Sequence, residues 1–95
     1  MLFDINLTQS AINDIENGVG YFNGLSENLG YRFADEIDSG LTQILKMPTA
    51  YSFRYKNVRA KQVNKFPFLI YFVIDEEKLT IEVLRIFNTY QNPFW

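Results

Sequence analysis

Polar and apolar positions recur with a readable period along most of this chain, and the period changes twice. In residues 2–7, Phe3, Ile5 and Leu7 alternate with Asp4 and Asn6, the pattern of a short strand with one buried face. Thr8 then stands where a helix N-cap belongs, and Ile12, Ile15, Val19 and Phe22 follow at helical spacing. Gly18 and Gly20 each cost such a helix roughly 0.5–1 kcal/mol relative to Ala, and Asn23-Gly24 is the expected exit turn. Ser26 is the expected cap of a second helix, which carries Leu29, Phe33, Ile37, Leu41 and Ile44 on one face and ends at Pro48. Glu27, Arg32, Asp35, Glu36 and Asp38 fall mostly off that stripe and form a solvated face. Two helices joined by a short turn, each apolar on one side, make a hairpin that needs a sheet to lie on.

After Pro48 the period shortens to two. Residues 49–55 read as a loop or short strand with exposed rings, and residues 54–74 as two strands meeting at Phe66-Pro67-Phe68. The first strand places Arg59, Lys61 and Lys65 on one parity and Val58, Ala60 and Phe66 on the other, so its basic residues are expected to share a wet face with Arg85 nearby. The second, residues 68–74, is an unbroken apolar run rich in rings and β-branched side chains, as in strands buried on both faces. Asp75-Glu76-Glu77-Lys78 makes a polar hairpin connection to a last strand at residues 79–87, whose alternation breaks at Leu84 and Arg85. The expected architecture is α+β: a two-helix hairpin packed on a mainly antiparallel four-stranded sheet, in the order β-α-α-β-β-β. Phe33, Ile37 and Leu41 should face Ile70 and Phe72 across the helix–sheet interface.

Composition narrows the chemistry more than the fold. The chain has 95 residues, 47% of them hydrophobic and 17% aromatic, enough for one domain with its own core. It holds no cysteine and no histidine, which removes disulfides, thiolate metal sites and every triad built on an imidazole. No cofactor or metal is therefore expected. No apolar run approaches a membrane span and the first residues lack a basic leader, so a cytoplasmic protein without membrane contact is expected.

The net charge of −2 conceals a segregation. Residues 1–38 hold one base and seven acids (−6), residues 39–74 six bases and no acid (+6), and residues 75–95 two bases and four acids (−2). Either the basic stretch forms a footprint for phosphate or an acidic partner, or the charges interleave in space and cancel.

The order of elements, with Ala11 and Ile15 in the first helix, residues 29–45 followed by Pro48, Val58-Arg59, Lys65-Phe66-Pro67-Phe68-Leu69-Ile70-Tyr71, and Val83-Leu84-Arg85-Ile86-Phe87 leading to Asn92-Pro93, resembles the RelE/ParE superfamily of toxins, also called plasmid-stabilisation proteins. The resemblance spans nearly the whole chain. It implies a growth-inhibiting toxin held inactive by a cognate antitoxin, either as a homodimer or in a toxin–antitoxin heterotetramer. RelE-like members cut mRNA on the ribosome with basic residues and often a C-terminal tyrosine, whereas ParE-like members poison DNA gyrase. The long helical hairpin and the Phe-Pro-Phe turn are closer to the ParE branch. The tail departs from a common family pattern, with Asn88 at the place of a histidine and Tyr90-Gln91 where a basic pair would stand.

RNA cleavage would need a base, cations for the phosphorane and an acid for the leaving oxygen. Arg59, Lys61, Lys65 and Arg85 are the candidate cations, and Tyr90 or Tyr71 the candidate proton carriers. The alternative reading of Arg54, Lys56, Arg59, Lys61, Lys65 and Arg85 is a surface that binds the target or the antitoxin. A third is stacking of single-stranded nucleic acid on Tyr51, Phe53 and Tyr55.

Overall fold

The computed structural model describes residues 3–90. Strand β1 (Asp4–Leu7) leads into helices α1 (Gln9–Leu25) and α2 (Leu29–Lys46). A 3-10 turn at Pro48–Ala50 follows, then strands β2 (Phe53–Tyr55), β3 (Val58–Gln62), β4 (Phe68–Asp75) and β5 (Thr80–Asn88). The sheet has five strands in the order β1-β5-β4-β3-β2. Neighbours are antiparallel except β1 and β5, which run parallel. The expected four-stranded sheet thus gains a strand, β2, inside the segment 49–55 whose sequence suits a loop or a short strand equally. The parallel pair follows from topology: the helical hairpin returns the chain to the far side of the sheet, leaving β1 and β5 to run the same way.

Thr8 caps α1 as its position suggested, its Oγ1 accepting from the Ala11 amide at 3.1 Å. The hydroxyl also donates to the Leu84 carbonyl at 2.8 Å, fastening the helix to β5. Three local expectations are corrected. Asn23-Gly24 is no exit turn, because α1 continues to Leu25. Ser26 is the C-cap of α1, and the N-cap of α2 is Asn28, in the left-handed region at φ 66°. Ile12, placed on the buried stripe, is 37% exposed, and Ala11 and Gly18 are buried in its stead. The cause is a rotation of the helix toward its small residues. A Cβ on Gly18 would lie 2.5 Å from Phe33 Cε2, and one on Gly30 would overlap the Val19 carbonyl. Glycine at these two sites lets the helices approach closely, and Asn23 Oδ1 uses that approach to accept the Gly30 amide at 2.7 Å.

The main core lies between hairpin and sheet. Phe33, Ile37 and Ile44 of α2 cluster with Ile70 and Phe72 of β4 and Ile81, Val83 and Ile86 of β5, and Leu41 packs against them partly buried. Phe3, Ile5 and Leu7 join the same cluster, as their alternation required. The Phe-Pro-Phe turn is part of this packing. Phe66 and Phe68 meet Phe33 edge-on at 5.2 and 4.9 Å between ring centroids, and Phe22 closes the group at 5.1 Å from Phe33. Such pairs are worth about 0.5–1.5 kcal/mol each beyond their buried area. A second cluster, Val58, Leu69 and Tyr71, occupies the opposite face of the sheet, so β4 is buried on both sides.

Candidate functional site

The basic residues are distributed over three places. On β3, Arg59 pairs across to Phe72 and Lys61 to Ile70, residues of the main core. Residues directly opposite in a ladder share a face, so Arg59 and Lys61 do point the same way, but toward the helices rather than to an open wet face. They are tolerated there because β3 lies near the sheet margin. A Cβ built on Gly40 of α2 would lie 3.8 Å from Lys61 Cε, so the lysine stem runs beside the helix while Nζ reaches the Gln62 carbonyl at 3.1 Å. The opposite parity, Val58 and Ala60, belongs to the second cluster.

Arg59 is tied to the segment before it. Its Nη1 donates to the Tyr51 carbonyl at 2.7 Å and more weakly to the Thr49 carbonyl at 3.4 Å, and its guanidinium lies 4.0 Å from the Phe53 ring centroid. Lys56 stands over Tyr55 at 5.2 Å and Lys61 beside Tyr51 at 5.5 Å. The β2–β3 hairpin is thus a cationic edge interleaved with rings. Arg54 and Lys56 are exposed on it, as are Phe53 (57%) and Tyr55 (39%).

Lys65 lies outside β3, in the turn before β4, at φ 71° and with its Nζ 3.7 Å from Glu36 Oε2. Between α2 and this turn runs a groove of about 530 Å3 lined by Glu36, Gln43, Lys61, Gln62 and Lys65 among others. One strand face carrying Arg59, Lys61 and Lys65 together is therefore corrected: the strand ends at Gln62.

Arg85 is two strands away, on β5. There Val83 opposes Phe72 and Arg85 opposes Tyr71, so Leu84 is an extra residue and the ladder bulges. This bulge is the break in alternation visible in the sequence. Strand β1 stops at Leu7, opposite Val83, and α1 covers the edge of β5 beyond it. Asp14 on α1 accepts Arg85 Nε at 2.7 Å and Nη2 at 2.9 Å, and the Ile86 amide at 3.0 Å. The hydrogen bond to Asp14 raises the Arg85 pKa above the ordinary arginine value against the opposing effect of burial, and the carboxylate's charge adds to the rise. Arg85 near the β3 cations is corrected as well.

Asp14 was missed as a site residue. The signal was indirect: an arginine inside the apolar run Val83-Leu84-Arg85-Ile86-Phe87 needs a carboxylate, and Asp14 sits between Ala11 and Gly18 on the inner side of α1.

Of the candidate proton carriers, Tyr71 is 4% exposed and belongs to the sheet face opposite to that of Arg59 and Lys61. Tyr90 is 86% exposed, just past β5. The Asn92-Pro93 motif and Gln91 lie outside the described residues, as does Leu2. The charges interleave in part, since Asp14 and Glu36 of the acidic stretch meet Arg85 and Lys65. No helix among the described residues is long and apolar enough to cross a membrane.

No protein-family model matches the chain, and no curated protein matches it in sequence. Solved structures do match in shape. The chromosomal ParDE toxin–antitoxin system of P. aeruginosa superposes with a TM-score of 0.80 at 16% identity, covering 92% of this chain and 96% of that one. A mutant of the E. coli toxin RelE in the free state gives 0.70 at 13% identity, over 93% and 84%. The RelBE2 toxin–antitoxin complex of Mycobacterium tuberculosis gives 0.64 at 14%, over 93% and 99%. The two-helix hairpin on a mixed sheet is the fold of the ParE and RelE toxins.

Proposed function

We propose that this chain is a single toxin domain of a type II toxin–antitoxin pair, ParE-like, which acts in the cytoplasm by binding a protein target such as DNA gyrase and is neutralised by a cognate antitoxin. The observation that carries the choice of mechanism is the scatter of the groups a nuclease would need. Arg59 and Lys61 line one margin of the sheet, Lys65 meets Glu36, and Arg85, held in the fork with Asp14, stands across from Tyr71, which lies on the sheet face opposite to that of Arg59 and Lys61. General acid–base cleavage needs its base, acid and cations around one phosphate, within hydrogen-bond reach. A binding surface has no such requirement, and the cationic hairpin Arg54, Lys56, Arg59 and Lys61 supplies one. Fold alone does not carry function; the high superposition on a ParDE system adds support to a reading that rests on the residues.

Expression of the chain without a partner should arrest growth. Purified protein should alter gyrase supercoiling or its cleavage-complex balance on titration and leave ribosome-bound mRNA intact. Codon-phased mRNA cuts would replace this reading with the RelE-type nuclease, and silence in both assays from a folded protein would leave an antitoxin-binding domain without a poison.

A further inference from the structure

Where α2 runs out beside the β4–β5 turn, the groove between them has apolar walls. Phe3, Leu45, Pro48 and Leu79 line it around a volume of about 570 Å3, and Met47 stands at its rim, 64% exposed. Apolar side chains scattered over a surface are ordinary, whereas contiguous ones bordered by polar residues mark a contact site.

Leu79 holds its place in this surface against the preference of its backbone. The Asp75 carboxylate accepts the Glu77 and Lys78 amides, both at 3.1 Å, and the turn so made leaves Leu79 at φ 54°, in the left-handed region that suits glycine or asparagine. The side chain is nonetheless 39% exposed, so burial within the fold offsets only part of that strain. Met47 closes α2 with its amide, bonded to the Gln43 carbonyl at 3.2 Å, and turns its thioether outward.

The charges on the rim balance. Lys46 at the end of α2 and Glu76 in the β4–β5 turn are both exposed, and among the described residues neither has an ion-pair partner. A partner of one strong sign would set a like charge against one of the two. A second copy of the chain, turned about a two-fold axis, does not: the partner's Glu76 meets Lys46, the partner's Lys46 meets Glu76, and each Met47 enters the facing groove.

We infer that the groove between α2 and the β4–β5 turn is the interface of a two-fold homodimer, with Met47 as its apolar anchor and the Lys46–Glu76 pairs on its rim. The unbranched thioether adapts to the walls it enters. A handful of residues per copy falls short of the roughly 20–30 a side of a standard interface, so the association is weak, with a Kd on the order of 10–100 µM. Dimerisation is read in mass alone and stands apart from the choice of target.

Sedimentation equilibrium of the full chain from about 5 to about 500 µM should show the mass rise from 11.2 kDa toward twice that value. M47Q should weaken dimerisation about tenfold or more. L79G should do the same while keeping the fold, because glycine suits the backbone at φ 54°. K46E and E76K should each weaken it about tenfold, since either change sets like charges together at both ends of the interface. Mixed in equal amounts, these two variants should dimerise like the parent, because each supplies the charges that the other lacks. A parent that stays monomeric throughout overturns the inference, and loss of growth arrest in M47Q of such a monomer would give the groove to a different protein. A dimer indifferent to M47Q and to both charge variants lies on another face and overturns it as well. Weakening in K46E and E76K without recovery in the mixture overturns the two-fold pairing.

Discussion

Asp14 holds Arg85 by two hydrogen bonds, at 2.7 and 2.9 Å, and with the same carboxylate accepts the Ile86 amide at 3.0 Å. One side chain thereby satisfies a bulged strand edge, pairs its arginine and fixes α1 to β5. Asp14→Ala should cost about 2–4 kcal/mol in denaturant melts, since it strands both an arginine and a backbone donor in a partly buried place. Arg85→Leu should cost less, because the amide keeps its acceptor. The raised Arg85 pKa means that its contribution is fully present below the ordinary arginine value and is lost only as pH rises through the still higher folded value. Melts between pH 7 and about pH 10 should therefore show no loss attributable to Arg85.

Phe33 and Gly18 are two halves of one contact. Phe33→Ala should cost about 3–5 kcal/mol, because the ring is fully buried among Phe22, Phe66 and Phe68. A loss below about 1 kcal/mol, the scale of a surface change, would contradict the orientation of α2. Gly18→Ala should cost about 1–3 kcal/mol by overpacking against the same ring. The combination with Phe33→Leu should be less than additive, since each change relieves the other.

Gly20 and Gly24 invite the opposite change. A Cβ at either position meets nothing within 4 Å, and neither glycine has a positive φ. Gly20→Ala and Gly24→Ala should each stabilise by about 0.5–1 kcal/mol through helix propensity. Asn23→Ala, on the same turn of helix, should instead cost about 1 kcal/mol by removing the acceptor for the Gly30 amide. Thermal melts of the three single variants give all three signs.

How much of this was legible follows from the range of each signal. The apolar periods located both helices, the core strand and its partners, because burial of one face is written locally in the spacing of Phe33, Ile37 and Leu41 or of Ile70 and Phe72. The rotation of α1 was not legible: Ile12 is the more hydrophobic residue, but Gly18 and Gly30 decide the orientation by permitting contact, and that shows only when both helices are placed. The parity of Arg59 and Lys61 was correct and their environment was not. A strand reveals which residues share a face, while the identity of the layer covering that face depends on the neighbours. Arg85 announced its bulge through the broken alternation, yet Asp14, far earlier in the chain, could be found only as the partner a half-buried guanidinium demands.

Arg59 and Tyr90 separate the structural from the catalytic reading of the basic hairpin. In the structure Arg59 spends its guanidinium on the Tyr51 and Thr49 carbonyls and on the Phe53 ring, contacts that hold residues 49–53 against β3. A charged hydrogen bond to a carbonyl is worth about 1.5–3 kcal/mol and an exposed cation–ring contact about 0.5–1. Arg59→Ala should therefore lower the local opening free energy of the 49–55 segment in hydrogen exchange by about 2 kcal/mol. Amides of β4 and β5 should keep most of their protection. Tyr90→Phe, at an exposed position, should leave stability within about 0.5 kcal/mol of the parent. Growth arrest under expression should survive Tyr90→Phe unchanged, because a binding toxin has no proton to pass at that hydroxyl. Loss of arrest in Tyr90→Phe, with the exchange pattern of the parent retained, would assign the tyrosine a chemical role and the chain a nuclease mechanism.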